Sequence, residues 1–163
     1  MVREYRNVFG AVEPAASDFF YMIEPPNAKP LKKKMGRPKL GEAADSHKPK
    51  PKPIGVKSRF MNEFMQALCD KYPNDLILML CDNAWWHKSK YIKIPERLTI
   101  IYIPPYTPEM NPIEQLWREI RTGFHNKYFK TIADVEKHLH ATIATIKPET
   151  IRSITQRDWL QYC

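Results

Sequence analysis

The sequence predicts a mixed α/β fold, and three observations carry that prediction. Two wholly or almost wholly apolar runs, residues 76–81 and 98–103, are too short for buried helices and suit strands covered on both faces. Three other segments repeat their apolar residues at the helical period, and a pair of β-rich runs near the N-terminus reads as a hairpin. Doubly buried strands joined by crossover sequence imply helices packed on a mixed sheet.

In chain order, residues 5–12 and 19–23 are rich in aromatic and β-branched side chains. The stretch between them contains Pro14, so a hairpin is expected, with Asp18 at the loop exit. From residue 25 to 57 the pattern lapses into Pro, Lys, Gly and small polar residues, which predicts a disordered insertion. After it, Phe60, Met61, Phe64, Met65 and Leu68 fall on one helical face behind Ser58, the expected N-cap, and the helix ends before Pro73. The first apolar strand follows and stops at Asp82-Asn83, and the second stops at Pro104-Pro105. Asn111-Pro112-Ile113-Glu114 then opens a helix: Asn111 can cap, Pro112 suits the first helical position, and Glu114 is third. Thr131 starts another, carried by Ile132, Val135, Leu139, Ile143 and Ile146 and expected to close at Pro148; Ile151, Ile154 and Trp159 are candidate packing residues of the tail. Three regions result: a hairpin (1–24), a basic Pro/Lys-rich insertion (25–57) and the remaining helices and strands (58–163).

Charge is distributed as unevenly as the pattern. The formal net charge is +8, yet residues 29–59 hold eleven Lys or Arg against Glu42 and Asp45, a local +9 that leaves the rest at −1. A nearly neutral body with a basic segment points to a polyanionic partner met through that segment, or to a solvated linker that only aids solubility. Cys69, Cys81 and Cys163 form no C-x-x-C pair, so neither a disulfide framework nor a zinc knuckle is suggested and a reducing, intracellular setting is expected. No run approaches the roughly 18 apolar residues of a membrane span, and the N-terminus lacks a signal-peptide core.

Two carboxylates stand out by position. Asp82 follows a buried strand and Glu114 lies in the first turn of a helix, with 31 residues between them. Strand ends of α/β sheets are where sites gather, and carboxylates on rigid elements can hold a pair of Mg²⁺ ions for phosphodiester chemistry. Each also has a plain structural reading: Asp82-Asn83 as the turn that ends a strand, Glu114 as the reciprocal partner of an Asn111 cap.

The surrounding text favours the first reading. Asp82-Asn83-Ala84-Trp85-Trp86-His87-Lys88-Ser89, followed by Pro104-Pro105-Tyr106-Thr107-Pro108-Glu109-Met110-Asn111-Pro112-Ile113-Glu114-Gln115-Leu116-Trp117, resembles the bacterial insertion-sequence branch of the mariner superfamily of DDE transposases. Phe9-Gly10-Ala11-Val12 and Phe129-Lys130-Thr131-Ile132 are similar as well, so the resemblance covers most of the chain outside residues 25–57. It implies a ribonuclease-H-like mixed sheet flanked by helices, with Asp82 and Glu114 as the second and third catalytic, metal-binding carboxylates. Two Mg²⁺ or Mn²⁺ ions would be held in a complete site. His87 and Lys88 would lie near DNA, although His87 taken alone reads as a packed core or surface residue, and Trp85 and Trp86 as packing residues. The implied activity is hydrolysis and strand transfer at transposon ends, in a bacterial, nucleoid-associated cytoplasmic protein that oligomerises when complete.

The chain departs from the pattern in two places. In the family a first carboxylate lies on a central strand upstream of the hairpin, and Asp18, Asp70 and Asp75 do not match it. The expectation is a sheet lacking that strand, no metal-dependent cleavage by the chain alone, and a possible need for an upstream polypeptide that supplies strand and Asp. The other departure is the insertion: Lys32, Lys33, Lys34, Arg37 and Lys39 surround a Gly36-Arg37-Pro38 core similar to an AT-hook, with Met35 where a basic residue would usually precede the glycine. These are the candidate DNA contacts. A noncatalytic DNA-binding remnant working through them is the alternative.

Overall fold

Strand β1 (Val8–Glu13) and strand β2 (Asp18–Ile23) pair antiparallel from Val8↔Ile23 to Glu13↔Asp18. They are followed by helix α1 (Val56–Lys71), strand β3 (Ile77–Cys81), strand β4 (Leu98–Tyr102) and helices α2 (Pro112–Thr122), α3 (Ile132–Thr145) and α4 (Pro148–Thr155). The computed structural model describes residues 5–25 and 56–156. The basic segment with Lys32, Lys33, Lys34, Arg37 and Lys39, and Trp159 in the tail, lie outside the described residues. The result is a mixed α/β fold with small sheets flanked by helices.

Alternation along the hairpin sends its side chains into two cores. Phe9, Ala11, Phe20 and Met22 pack against the apolar face of α1, and Val8, Val12, Phe19 and Ile23 against α2 and α4. The first core rests on the α1 stripe of Met61, Phe64, Met65, Leu68 and Cys69, with Phe9 edge-on to Phe60 at a ring-centroid distance of 4.9 Å. Met65 is fully buried, and truncating it to Ala would cost about 2–5 kcal/mol. In the second core Leu116, Ile120, Leu139 and Ile151 meet. Gly10 faces this side, where an added Cβ would come within 2.8 Å of both Phe19 and Trp117; the absence of a side chain lets Trp117 close onto the strand.

Strand β3 pairs with β4 in parallel, Ile77↔Leu98 through Cys81↔Tyr102. Arg97, just ahead of β4, donates to the carbonyls of Cys69 (3.1 Å), Tyr72 (2.9 Å) and Pro73, satisfying acceptors left over at the end of α1. The hairpin is tied to the same place, since Asp18 accepts from Lys71 Nζ and from the Tyr72 hydroxyl.

Three expectations need correction. Strands β3 and β4 are covered on one face only: Met79, Cys81 and Leu98 are buried, whereas Leu76 is 86%, Leu78 57% and Ile101 45% exposed. Helices α2, α3 and α4 gather on the hairpin and leave that outer face bare among the described residues. Among the described residues the strands form two separate two-stranded sheets, β1-β2 and β3-β4, as expected of a sheet without its central strand. Ser58 is not the N-cap of α1, which begins at Val56 and has Ser58 buried in its first turn. Pro148 does not close α3, which stops at Thr145 with Ile146 extended behind it; Pro148 opens α4, its fixed φ and missing N–H suiting a first helical position.

Candidate active site

Strand β3 ends by delivering Asp82 to the surface, and the chain turns sharply there. The Asp82 Oδ1 atom accepts from the Ala84 amide at 3.1 Å, and a 3₁₀ turn, Trp85–Lys88, folds the next residues back onto the strand. His87 thereby becomes buried, with 8% of its surface exposed. Its Nδ1 lies 2.9 Å from Asp82 Oδ1, 3.1 Å from the Asp82 carbonyl oxygen and 3.4 Å from Cys81 Sγ. A proton on Nδ1 can donate to the Asp82 carbonyl, with the carboxylate 2.9 Å away and 61% of the Asp82 side chain open. The backbone oxygen of His87 accepts from the Tyr102 hydroxyl at 3.0 Å, so β4 holds the turn in place. Burial, and then the negative charge of Asp82, push the Cys81 thiol up to about 12. A neutral thiol of that kind is a poor nucleophile at physiological pH.

Glu114 arrives from the other direction. The Ile103 amide donates to the Cys81 carbonyl at 2.8 Å, so the loop leading to α2 starts beside the end of β3. That loop carries Tyr106 at φ 63° and is held by Thr107 Oγ1 donating to the Pro104 carbonyl at 2.7 Å. Asn111 then caps α2, its side chain accepting from the Ile113 amide at 3.4 Å. The reciprocal-cap reading of Glu114 finds no support: the Asn111 amide donates instead to the Pro108 carbonyl at 3.0 Å. Among the described residues the half-buried Glu114 carboxylate makes no side-chain hydrogen bond or ion pair.

Asp82, His87 and Glu114 line one cleft of about 960 Å³, together with Asn111 and Trp117. Lys88 is exposed, its ammonium 4.9 Å from the Tyr102 ring centroid. Two carboxylates are the right chemistry for a hard divalent cation, which takes oxygen ligands. They are not enough: among the described residues no group of three or more His, Cys, Asp or Glu stands close enough to hold one. The residues present therefore fit part of a metal site and do not complete it.

A strand-end aspartate and a helix-start glutamate thus line one cleft of an α/β fold. Comparison with known proteins gives the family. The family described as DDE superfamily endonuclease matches residues 55–136, and the chain belongs to it. An "Uncharacterized protein y4pE/y4sA" of Sinorhizobium fredii (strain NBRC 101917 / NGR234) is 33% identical over 85 residues, half of this chain. The matched region covers 63% of that relative's length, so the chain spans less than two thirds of it. No solved structure matches. Among the described residues no helix is long and apolar enough to cross a membrane.

The sequence brought Asp82 and Glu114 forward together and the fold puts both on one cleft. It gave less on His87, whose partnership with Asp82 depends on the 3₁₀ turn reversing the chain within five residues. A histidine at that distance beyond a strand-end aspartate is the signal that such a return leaves.

Proposed function

We propose that the chain is the greater part of a DDE-type transposase catalytic domain, of the bacterial insertion-sequence branch of the mariner superfamily. Asp82 and Glu114 are its two metal-binding carboxylates. The observation that supports this most directly is that both line one cleft, at the end of β3 and the start of α2, within a family of endonucleases. When bound, Mg²⁺ or Mn²⁺ would neutralise charge at a phosphate and activate an attacking oxygen. This chain's own part is to hold the two carboxylates on rigid elements, with His87 steering Asp82. A further carboxylate would complete the site, and DNA would be engaged by the carboxylate end of the cleft and by Lys32, Lys33, Lys34, Arg37 and Lys39.

Titration of the purified chain with Mn²⁺, followed by the electron paramagnetic resonance of the free ion, tests this. Weak binding is expected, reduced at least tenfold by Asp82→Asn and by Glu114→Gln alike. Binding indifferent to either substitution overturns the assignment, as does Mg²⁺-dependent nicking of supercoiled DNA by the chain alone.

A second reading, a noncatalytic DNA-binding remnant, is favoured by the local +9 and by the two-carboxylate donor set. Both readings require residues 29–55 to meet phosphates. Deleting them, which stops short of α1, should flatten the salt dependence of DNA binding.

A further inference from the structure

A second pocket, of about 560 Å³, shares no lining residue with the carboxylate cleft and opens where the end of β2 meets α3. Glu24, the first residue beyond β2, lines it and is only 7% exposed. Asn7 holds Glu24 twice: the Glu24 amide donates to the Asn7 carbonyl at 2.9 Å, and Asn7 Nδ2 donates to Glu24 Oε2. The other carboxylate oxygen, Oε1, is buried without a hydrogen-bond partner, the one such side-chain atom among the described residues. A carboxylate taken out of water is costly unless a donor, and best a cationic donor, meets it. A water molecule would supply the hydrogen bond and leave the charge unpaired.

The neighbours narrow the kind of donor. Glu136 and His140 stand four residues apart on α3, on the one face that borders the pocket. Glu136 Oε1 accepts from Arg6 Nε at 2.5 Å, which leaves Oε2 without a partner among the described residues. The Tyr21 hydroxyl and His140 Nδ1 are 2.5 Å apart, and the two rings lie with centroids 5.6 Å apart at 47°. Ile23 and Pro25 add apolar surface. The two acids and the imidazole line one pocket, yet they are too spread to hold a single metal ion in common. A guest that serves them carries several N–H donors on a wide, flat frame that stacks on aromatic rings, and hangs from an apolar stem. A guanidinium has that form, whereas an ammonium is a compact point charge.

We propose that this pocket receives an arginine side chain of a partner polypeptide, its guanidinium donating to Glu24 Oε1 and lying against Tyr21 and His140, its stem on Ile23 and Pro25. Arg6 is not that guest, being committed to Glu136 and to the Tyr5 carbonyl. A free amino acid suits the pocket less well. No Lys or Arg lines it, so an α-carboxylate would meet two acids and no cation, and within a polypeptide that charge is replaced by an amide. The inference stands apart from the metal assignment, since it uses other residues and no divalent ion.

The probe is N-acetyl-arginine amide, titrated into the nitrogen-15-labelled full chain and followed by its amide spectrum. Saturable shifts are expected at Glu24, Glu136 and His140, with the affinity lowered about tenfold or more by Glu24→Gln, the loss of one charge-assisted hydrogen bond. N-acetyl-lysine amide and the bare guanidinium ion should bind the unsubstituted chain more weakly, a comparison that needs no variant. Equal binding of the lysine analogue would reduce the pocket to a plain acidic patch, and equal binding of the guanidinium ion would remove the stem contacts. Tighter binding of unblocked arginine would assign the pocket to a free amino acid. Each of these overturns the proposal, as do affinity undiminished by Glu24→Gln and the lack of a saturable shift at those three amides.

Discussion

The imidazole of His87 is held under the carboxylate of Asp82, Nδ1 to Oδ1 at 2.9 Å, with the histidine buried and the aspartate open to solvent. The pair is unequal in what its members lose on substitution. His87→Ala removes a packed ring and its hydrogen bonds and should cost about 1–3 kcal/mol, whereas Asp82→Ala should cost under about 1 kcal/mol, its charge being screened by water. Urea melts of both variants and the double mutant measure this, and additive losses would show that the two side chains do not communicate.

Gly10→Ala should destabilise by about 1–3 kcal/mol, because the new methyl would sit 2.8 Å from atoms of Phe19 and Trp117, both ring carbons of packed residues. Thermal melts of this variant alone and with Trp117→Leu provide the check. The second substitution should recover part of the loss, and no recovery would place the strain elsewhere.

Tyr106 stands at φ 63° and is 99% exposed. A left-handed backbone is costly for a bulky residue, and nothing the ring buries offsets that cost. Tyr106→Gly is therefore expected to stabilise the fold by roughly 0.5–1 kcal/mol, against the usual direction of glycine substitutions. A lowered urea midpoint would contradict the strain argument.

Cys81 should resist alkylation at pH 8 until the chain unfolds, since burial keeps its thiol protonated to about pH 12. The linked stability follows with a definite sign. Below pH 9 the thiol is protonated in both states and contributes no slope. Between pH 9 and about 12 the unfolded chain releases a proton that the folded one retains, so stability falls as pH rises. Iodoacetamide trapping and alkaline melts, compared with Cys81→Ala, separate this contribution from that of the tyrosines.

The sequence was informative where the physics is local. Asn111-Pro112-Ile113-Glu114 announces a helix start because cap, first-position proline and third-position acid act within one turn, and the cap forms as read. Thr131 and Asp134 build a reciprocal capping box at the next helix. The strands were legible as strands, but a run of unbroken apolar residues says nothing about which face lies uncovered, so the exposure of Leu76 and Leu78 could not be read. Pro148 is ambiguous in any sequence, since the same ring ends one helix and begins another, and the eight residues of α4 are too few for periodicity to declare itself.

The bare flank of β3 and β4 has a practical side. Leu76, Leu78 and Ile101 make a greasy patch on a molecule whose formal charge of +8 is concentrated in residues 29–59. Repulsion between molecules thus rests mostly on that segment, and association on the apolar patch. Salts that screen charge while strengthening apolar association weaken the first force and reinforce the second, so precipitation by sulfate should set in early for a protein this basic.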